Sequence, residues 1–96
     1  MMILVTYDVD TTDKGGAKRL RNVAKSCVNH GRRVQNSVFE CVLNEAQFTA
    51  LVHKLETIID KSKDNLRFYN LGKNWDRKVT TIGINTSFDV TGELII

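Results

Sequence analysis

Two aspartates, Asp8 and Asp10, close the apolar run "ILVTYDVD" of residues 3 to 10. Apolar Val9 stands between them, and the alternation of an extended chain places both carboxylates on one side. Oxygen ligands of this type suit magnesium, with manganese as the substitute. Magnesium is commonly held by one or two carboxylates, with water and a substrate phosphate completing its shell. A structural reading stands beside this one: Asp8 accepts hydrogen bonds from a helix N-terminus and Asp10 begins a turn.

The cations form a second constellation. Lys14, Lys18, Arg19, Arg21 and Lys25 crowd one stretch, and Arg32 and Arg33 follow. Lys73, Arg77 and Lys78 surround Trp75. The net charge of +3 is small, so it is the clustering that points to phosphate backbones. A solvated helix face carries similar charge. Trp75 either stacks on a base or packs over a core edge. Arg32 and Arg33 precede Gln35, Asn36 and Ser37, a polar strand that reads as a functional surface or as a charged, protected edge.

Other chemistries are excluded. The chain has no Ser-His-Asp arrangement, no phosphate-binding glycine loop and no zinc pattern. Cys27 and Cys41 are far apart, lack CxxC spacing and read as reduced core thiols of a cytosolic protein. Asp8 interrupts the apolar N-terminal run too early for a signal peptide, and no stretch reaches membrane-spanning length. A soluble, cytoplasmic protein without a membrane partner is expected.

The elements that must hold these groups fit one domain of 96 residues. Residues 3–9 read as a buried strand. "DTTDKGG" is a loop, with Thr12 or Asp13 as N-cap of a helix whose stripe is Leu20, Val23, Ala24, Cys27 and Val28. Gly31 suits a left-handed helix stop. "RRVQNSVFECVL" is extended but long, so a bulge or reversal is expected near Asn36 and Ser37, with Phe39, Cys41 and Leu43 on one side and Val38 and Val42 on the other. Asn44 and Gln47 form a capping box ahead of a second helix carrying Phe48, Leu51, Val52, Leu55, Ile58 and Ile59. "LRFYNLG" is a strand, "KNWDRK" a basic loop and "VTTIGI" a short final strand.

This order predicts an α+β fold, the ferredoxin-like βαββαβ arrangement with an additional C-terminal strand. Two amphipathic helices cover one side of the sheet. Apolar residues on the opposite register, with the aliphatic tail, favour a partner on the other side. Residues 1–84 form the domain, and residues 85–96 a tail for dimer or partner contacts.

"VTYDV", "GRRVQNSVFEC" and "LRFYNLG", in this order and spacing, resemble the CRISPR-associated protein two family, the small subunit of the CRISPR spacer-acquisition complex. The last segment is similar to the branch found with type I-C systems. The resemblance implies a sheet-to-sheet homodimer, partnership with the CRISPR integrase subunit as a DNA-binding scaffold, and, in at least some members, magnesium-dependent endonuclease activity on DNA or RNA; the alternative is a non-catalytic nucleic-acid-binding adaptor with no physiological nuclease activity. It implies catalytic roles for Asp8, Tyr7, Arg33, Ser37 and Phe39, with Asp8 and Asp10 as metal ligands. The phosphate contacts then fall to Lys14, Lys18, Arg19, Arg21, Arg32, Arg33, Lys73, Arg77 and Lys78.

Overall fold

In a computed structural model, which describes residues 1–83, the elements follow the order β1 (Met2–Asp8), α1 (Gly16–Val28), β2 (Gly31–Gln35), β3 (Val38–Val42), α2 (Glu45–Ile58) and β4 (Asn65–Gly72). A short 3-10 turn, Trp75–Arg77, is the last element among the described residues. The four strands form one sheet in the order β2-β3-β1-β4, every pairing antiparallel. This is the ferredoxin-like α+β fold that the element order predicts.

The alternation of β1 builds the core. Ile3, Val5 and Tyr7 are buried against the helices with Cys41 and Phe39, their neighbours on β3. Val23, Ala24 and Cys27 from α1 and Leu51 and Leu55 from α2 close the same cluster. Phe48 meets Phe68 edge to face, with 5.7 Å between ring centroids. Both cysteines are free and buried, and the Cys41 thiol donates to the Cys27 carbonyl at 3.4 Å. The neighbouring sulfur and burial both push the Cys27 thiol up.

The second helix begins as its sequence predicts. The Asn44 side chain accepts from the Gln47 amide at 2.8 Å, and the Gln47 side chain accepts from the Asn44 amide at 3.0 Å. The first helix does not. Its N-cap is Gly15, at φ 83°, with no side-chain cap from Thr12 or Asp13. Gly16 lies so close to the Asp10 carbonyl that a Cβ there would fall 2.0 Å from the oxygen. The glycine pair therefore lets α1 start hard against the β1–α1 loop. Gly31 serves the sheet instead of a left-handed stop: a Cβ would fall 1.8 Å from the Glu40 carbonyl on β3.

The expected reversal lies between β2 and β3, and a bulge interrupts their register between Arg33 and Gln35. "VTTIGI" departs from its expected strand. Residues 79–83 run as irregular chain, and Ile82 is 94% exposed. Among the described residues, Thr80, Thr81, Ile82 and Gly83 meet no surface that would bury one side of a strand. The rest of the expected tail lies outside the described residues.

Candidate active site

β1 ends at Asp8, and its last rung is Asp8 opposite Asn65 on β4. Because Tyr7 points to the helices, Asp8 points to the uncovered face, where it is exposed. No ion pair or side-chain hydrogen bond among the described residues engages it. Asp10 is different. The chain has already left the strand, and Asp10 Oδ1 accepts from the Thr12 amide at 2.9 Å and the Thr12 hydroxyl at 2.6 Å. Those bonds hold its carboxyl below the usual range and make it the start of a turn. The alternation that places Asp8 thus stops before Asp10.

Tyr7 anchors the same strand end from inside. It is 2% exposed, and its hydroxyl donates to Asp64 Oδ2. Arg19 reaches the same carboxylate from α1 with Nε at 2.9 Å and Nη2 at 3.2 Å, and the Asp60 amide donates at 3.0 Å. The Asp64 side chain has no solvent exposure. Burial alone would raise its carboxyl, but Arg19, Tyr7 and the Asp60 amide outweigh that and hold it low. Burial and the Asp64 hydrogen bond push the Tyr7 hydroxyl up to about 12. Arg19, expected to meet phosphate, is committed to Asp64 and Asp13. Asp64 itself escapes sequence reading, since within "DKSKDN" it looks like any polar turn residue.

The middle motif divides between faces. Ser37 lies beside the strand end, its carbonyl accepting from the Tyr7 amide at 2.9 Å. Phe39 is fully buried in the core. Arg33 pairs across strands with Phe39 and so belongs to the helix side, its guanidinium 5.6 Å from the ring centroid and its Nε donating to the Asn36 carbonyl at 2.8 Å. The structure therefore does not bring Arg33 to the face that carries Asp8. Arg32 is on that face, but bonded to Glu40 at 3.0 Å.

The basic groups also separate. Lys14, Lys18 and Arg21 are exposed around the start of α1. Lys73, Arg77 and Lys78 follow β4 at the end of the sheet where Met2 pairs with Gly72. Lys78 is tied to the Leu71 carbonyl at 2.8 Å. Seven residues of β1 separate the two ends, about 20 Å at the rise of a strand.

Known proteins share this fold and sequence pattern. The family model described as CRISPR associated protein Cas2 matches residues 1–79. The CRISPR-associated endonuclease Cas2 of Halalkalibacterium halodurans is 53% identical over 95 residues, covering 99% of both chains. A CRISPR-associated endoribonuclease Cas2 of Rhodospirillum rubrum is also 53% identical over 95 residues, covering 99% of this chain and 100% of its own. The crystal structure of Streptococcus pyogenes Cas2 superposes with a TM-score of 0.79 at 59% identity, over 86% of this chain and 100% of that one. With the family's fold, and with its sequence pattern running nearly from end to end, the chain belongs to the Cas2 family of CRISPR-associated proteins.

Proposed function

We propose that this protein is a metal-dependent endonuclease hydrolysing phosphodiester bonds in DNA or RNA, and that its homodimer also acts as a cytoplasmic DNA-binding scaffold for the CRISPR integrase in spacer acquisition. The observation that carries the nuclease reading is Asp8, a carboxylate that no ion pair among the described residues engages, at a strand end on the sheet face that neither helix covers. Strand ends hold a ligand more rigidly than loops do. The names of its relatives, endonuclease and endoribonuclease, agree with this chemistry.

The residues fit magnesium or manganese. Asp8 offers hard oxygen donors that no salt bridge among the described residues occupies, and Asn65 opposite adds a neutral oxygen. No group of three or more His, Cys, Asp or Glu forms a cage among the described residues, so one chain supplies only part of a site. Leu4, Val38, Val42 and Tyr69 lie on the Asp8 face, with Val42 52% and Tyr69 43% exposed, and they favour a second copy as its cover. Two copies would pool two Asp8 carboxylates. An ion held there would polarise a phosphate oxygen and activate a water. The chain's own part is positional: the Tyr7–Asp64–Arg19 network locks the strand end that carries Asp8.

The separated cations favour the scaffold role as well. Lys73 and Arg77, about 20 Å along the sheet from Asp8, are too distant to share its phosphate and suit a longer duplex backbone. Purified protein and Asp8→Asn, incubated with labelled single- and double-stranded DNA and RNA with and without magnesium, test the proposal. Cleavage should need the ion and fall at least about a hundredfold in the variant. Metal-independent cleavage, or full activity of Asp8→Asn, refutes the nuclease reading.

A further inference from the structure

The register between β1 and β4 brings a cation to Asp8 that the sequence motifs do not single out. Thr6 pairs with Arg67 and Asp8 with Asn65. Thr6 and Asp8 share the uncovered face, and so Arg67 stands on it too, one rung from Asp8 on the neighbouring strand. Diagonal cross-strand neighbours lie about 7–8 Å apart, within reach of a long side chain. The two nevertheless form no ion pair. Arg67 Nη1 instead donates to the Tyr69 hydroxyl at 3.4 Å, which leans the guanidinium along its own strand.

Arg19 and the two arginines of β2 are committed. Arg19 is bound to Asp64, Arg33 lies over Phe39 on the helix side, and Arg32, the second arginine of the uncovered face, is bound to Glu40. Among the described residues, Arg67 is in no salt bridge. An exposed carboxylate and an exposed guanidinium, adjacent but unpaired, are complementary to the two sides of one group: a cation between carboxylate and phosphate, and the phosphate's own anionic oxygens.

The geometry points to Arg67 as a catalytic residue of the Asp8 site, gripping the non-bridging oxygens of the phosphodiester. This rests on the nuclease reading of Asp8 and places Arg67, not Arg33 of the middle motif, as the arginine that stabilises charge on the phosphate. As the water oxygen bonds to phosphorus and the ester P–O bond breaks, the attacking water gives a proton to solvent, the leaving oxygen takes one up, and negative charge gathers on the non-bridging oxygens, where a guanidinium fork offsets it. In the free protein the Tyr69 hydroxyl holds the guanidinium toward the Leu4–Tyr69 rung, and a phosphate at Asp8 would draw it across to the neighbouring rung.

The test compares wild type, Arg67→Gln, Arg67→Lys, Arg67→Ala and Asp8→Asn, with Lys54→Gln on the exposed side of α2 as a charge-matched control. Melting temperature and light scattering establish that each variant is folded and in the wild-type oligomeric state. Arg67→Gln should lower kcat about a hundredfold with little change in KM, Arg67→Lys about tenfold, and Lys54→Gln not measurably. Added guanidinium at millimolar concentration should recover at least about tenfold of the rate in Arg67→Ala, as a purely structural role would not allow. Should Arg67→Gln fail to fold, the folded Arg67→Lys decides the matter. Folded Arg67 variants that cleave like wild type while Asp8→Asn is inactive overturn this assignment and leave the site reading standing. Loss explained by dissociation, without guanidinium rescue, overturns it also. Full activity of Asp8→Asn removes both.

Discussion

Arg19 on α1 and Asp64 ahead of β4, 45 residues apart in the chain, meet through two hydrogen bonds of 2.9 and 3.2 Å, with Tyr7 of β1 on the same carboxylate. Three elements are thereby joined beneath the end of the strand that carries Asp8. Replacing Asp64 by alanine removes the acceptor of all these donors. The expected cost is about 2–3 kcal/mol, read by urea denaturation at neutral pH. Unchanged stability would mean that the network contributes nothing net.

The same network sets a pH dependence with two limbs. The folded Asp64 carboxyl is held below its ordinary value, so its contribution is present above the unfolded pKa of about 3.9 and is lost as pH falls through the lower folded value. The Tyr7 hydroxyl is raised to about 12, so its contribution is complete below about pH 10 and is lost as pH rises toward 12. Tyr7→Phe should flatten the alkaline limb and leave some acid limb, because Arg19 still holds Asp64. Thermal melts between pH 2 and 12 check both signs.

A tight backbone approach gives the next expectation. At Gly16 an added Cβ would fall 2.0 Å from the Asp10 carbonyl, a contact that only movement of the backbone relieves. Gly16→Ala should destabilise by about 2–3 kcal/mol, more than alanine's better helix propensity returns. The equivalent change at exposed Gly83, where a Cβ meets nothing within 4 Å, separates steric conflict from conformational strain, since Gly83 has φ 102°. Equal effects at both sites would assign the cost to backbone conformation alone.

Much of the fold is legible in the chain because local patterns and tertiary demands agree. Period-two alternation in "ILVTYD" and the Asn44–Gln47 capping box specify β1 and α2 directly. Asp8 is legible for the same reason, as a charge closing a buried run. What the sequence hides depends on pairing between distant segments. Arg33 lies beside the functional-looking "QNS", yet its rung with Phe39 turns it toward the helices. Arg67 sits inside an ordinary strand, and only the β1–β4 register sets it beside Asp8. Asp64 gains its role from Arg19 and Tyr7, which no local pattern announces.

The division of the cations between two ends of the sheet separates nucleic-acid binding from cleavage. Lys14, Lys18 and Arg21 stand around the start of α1, while Lys73 and Arg77 stand beyond β4. If both groups track a duplex backbone, affinity falls steeply with salt, with a log–log slope of about −0.9 for each phosphate contact. Neutralising Lys73 and Arg77 together should reduce the magnitude of that slope by about 1.8, and neutralising Lys14 and Lys18 should do the same. Asp8→Asn removes negative charge near the duplex, so its metal-free affinity should hold or rise even as cleavage is lost. Fluorescence anisotropy on duplex DNA from about 50 to 200 mM salt reads all three. A slope unchanged by either pair would remove those residues from the interface. A slope changed by only one pair would place the duplex at that end of the sheet, and a collapse of binding in Asp8→Asn would tie binding and cleavage to one inseparable site.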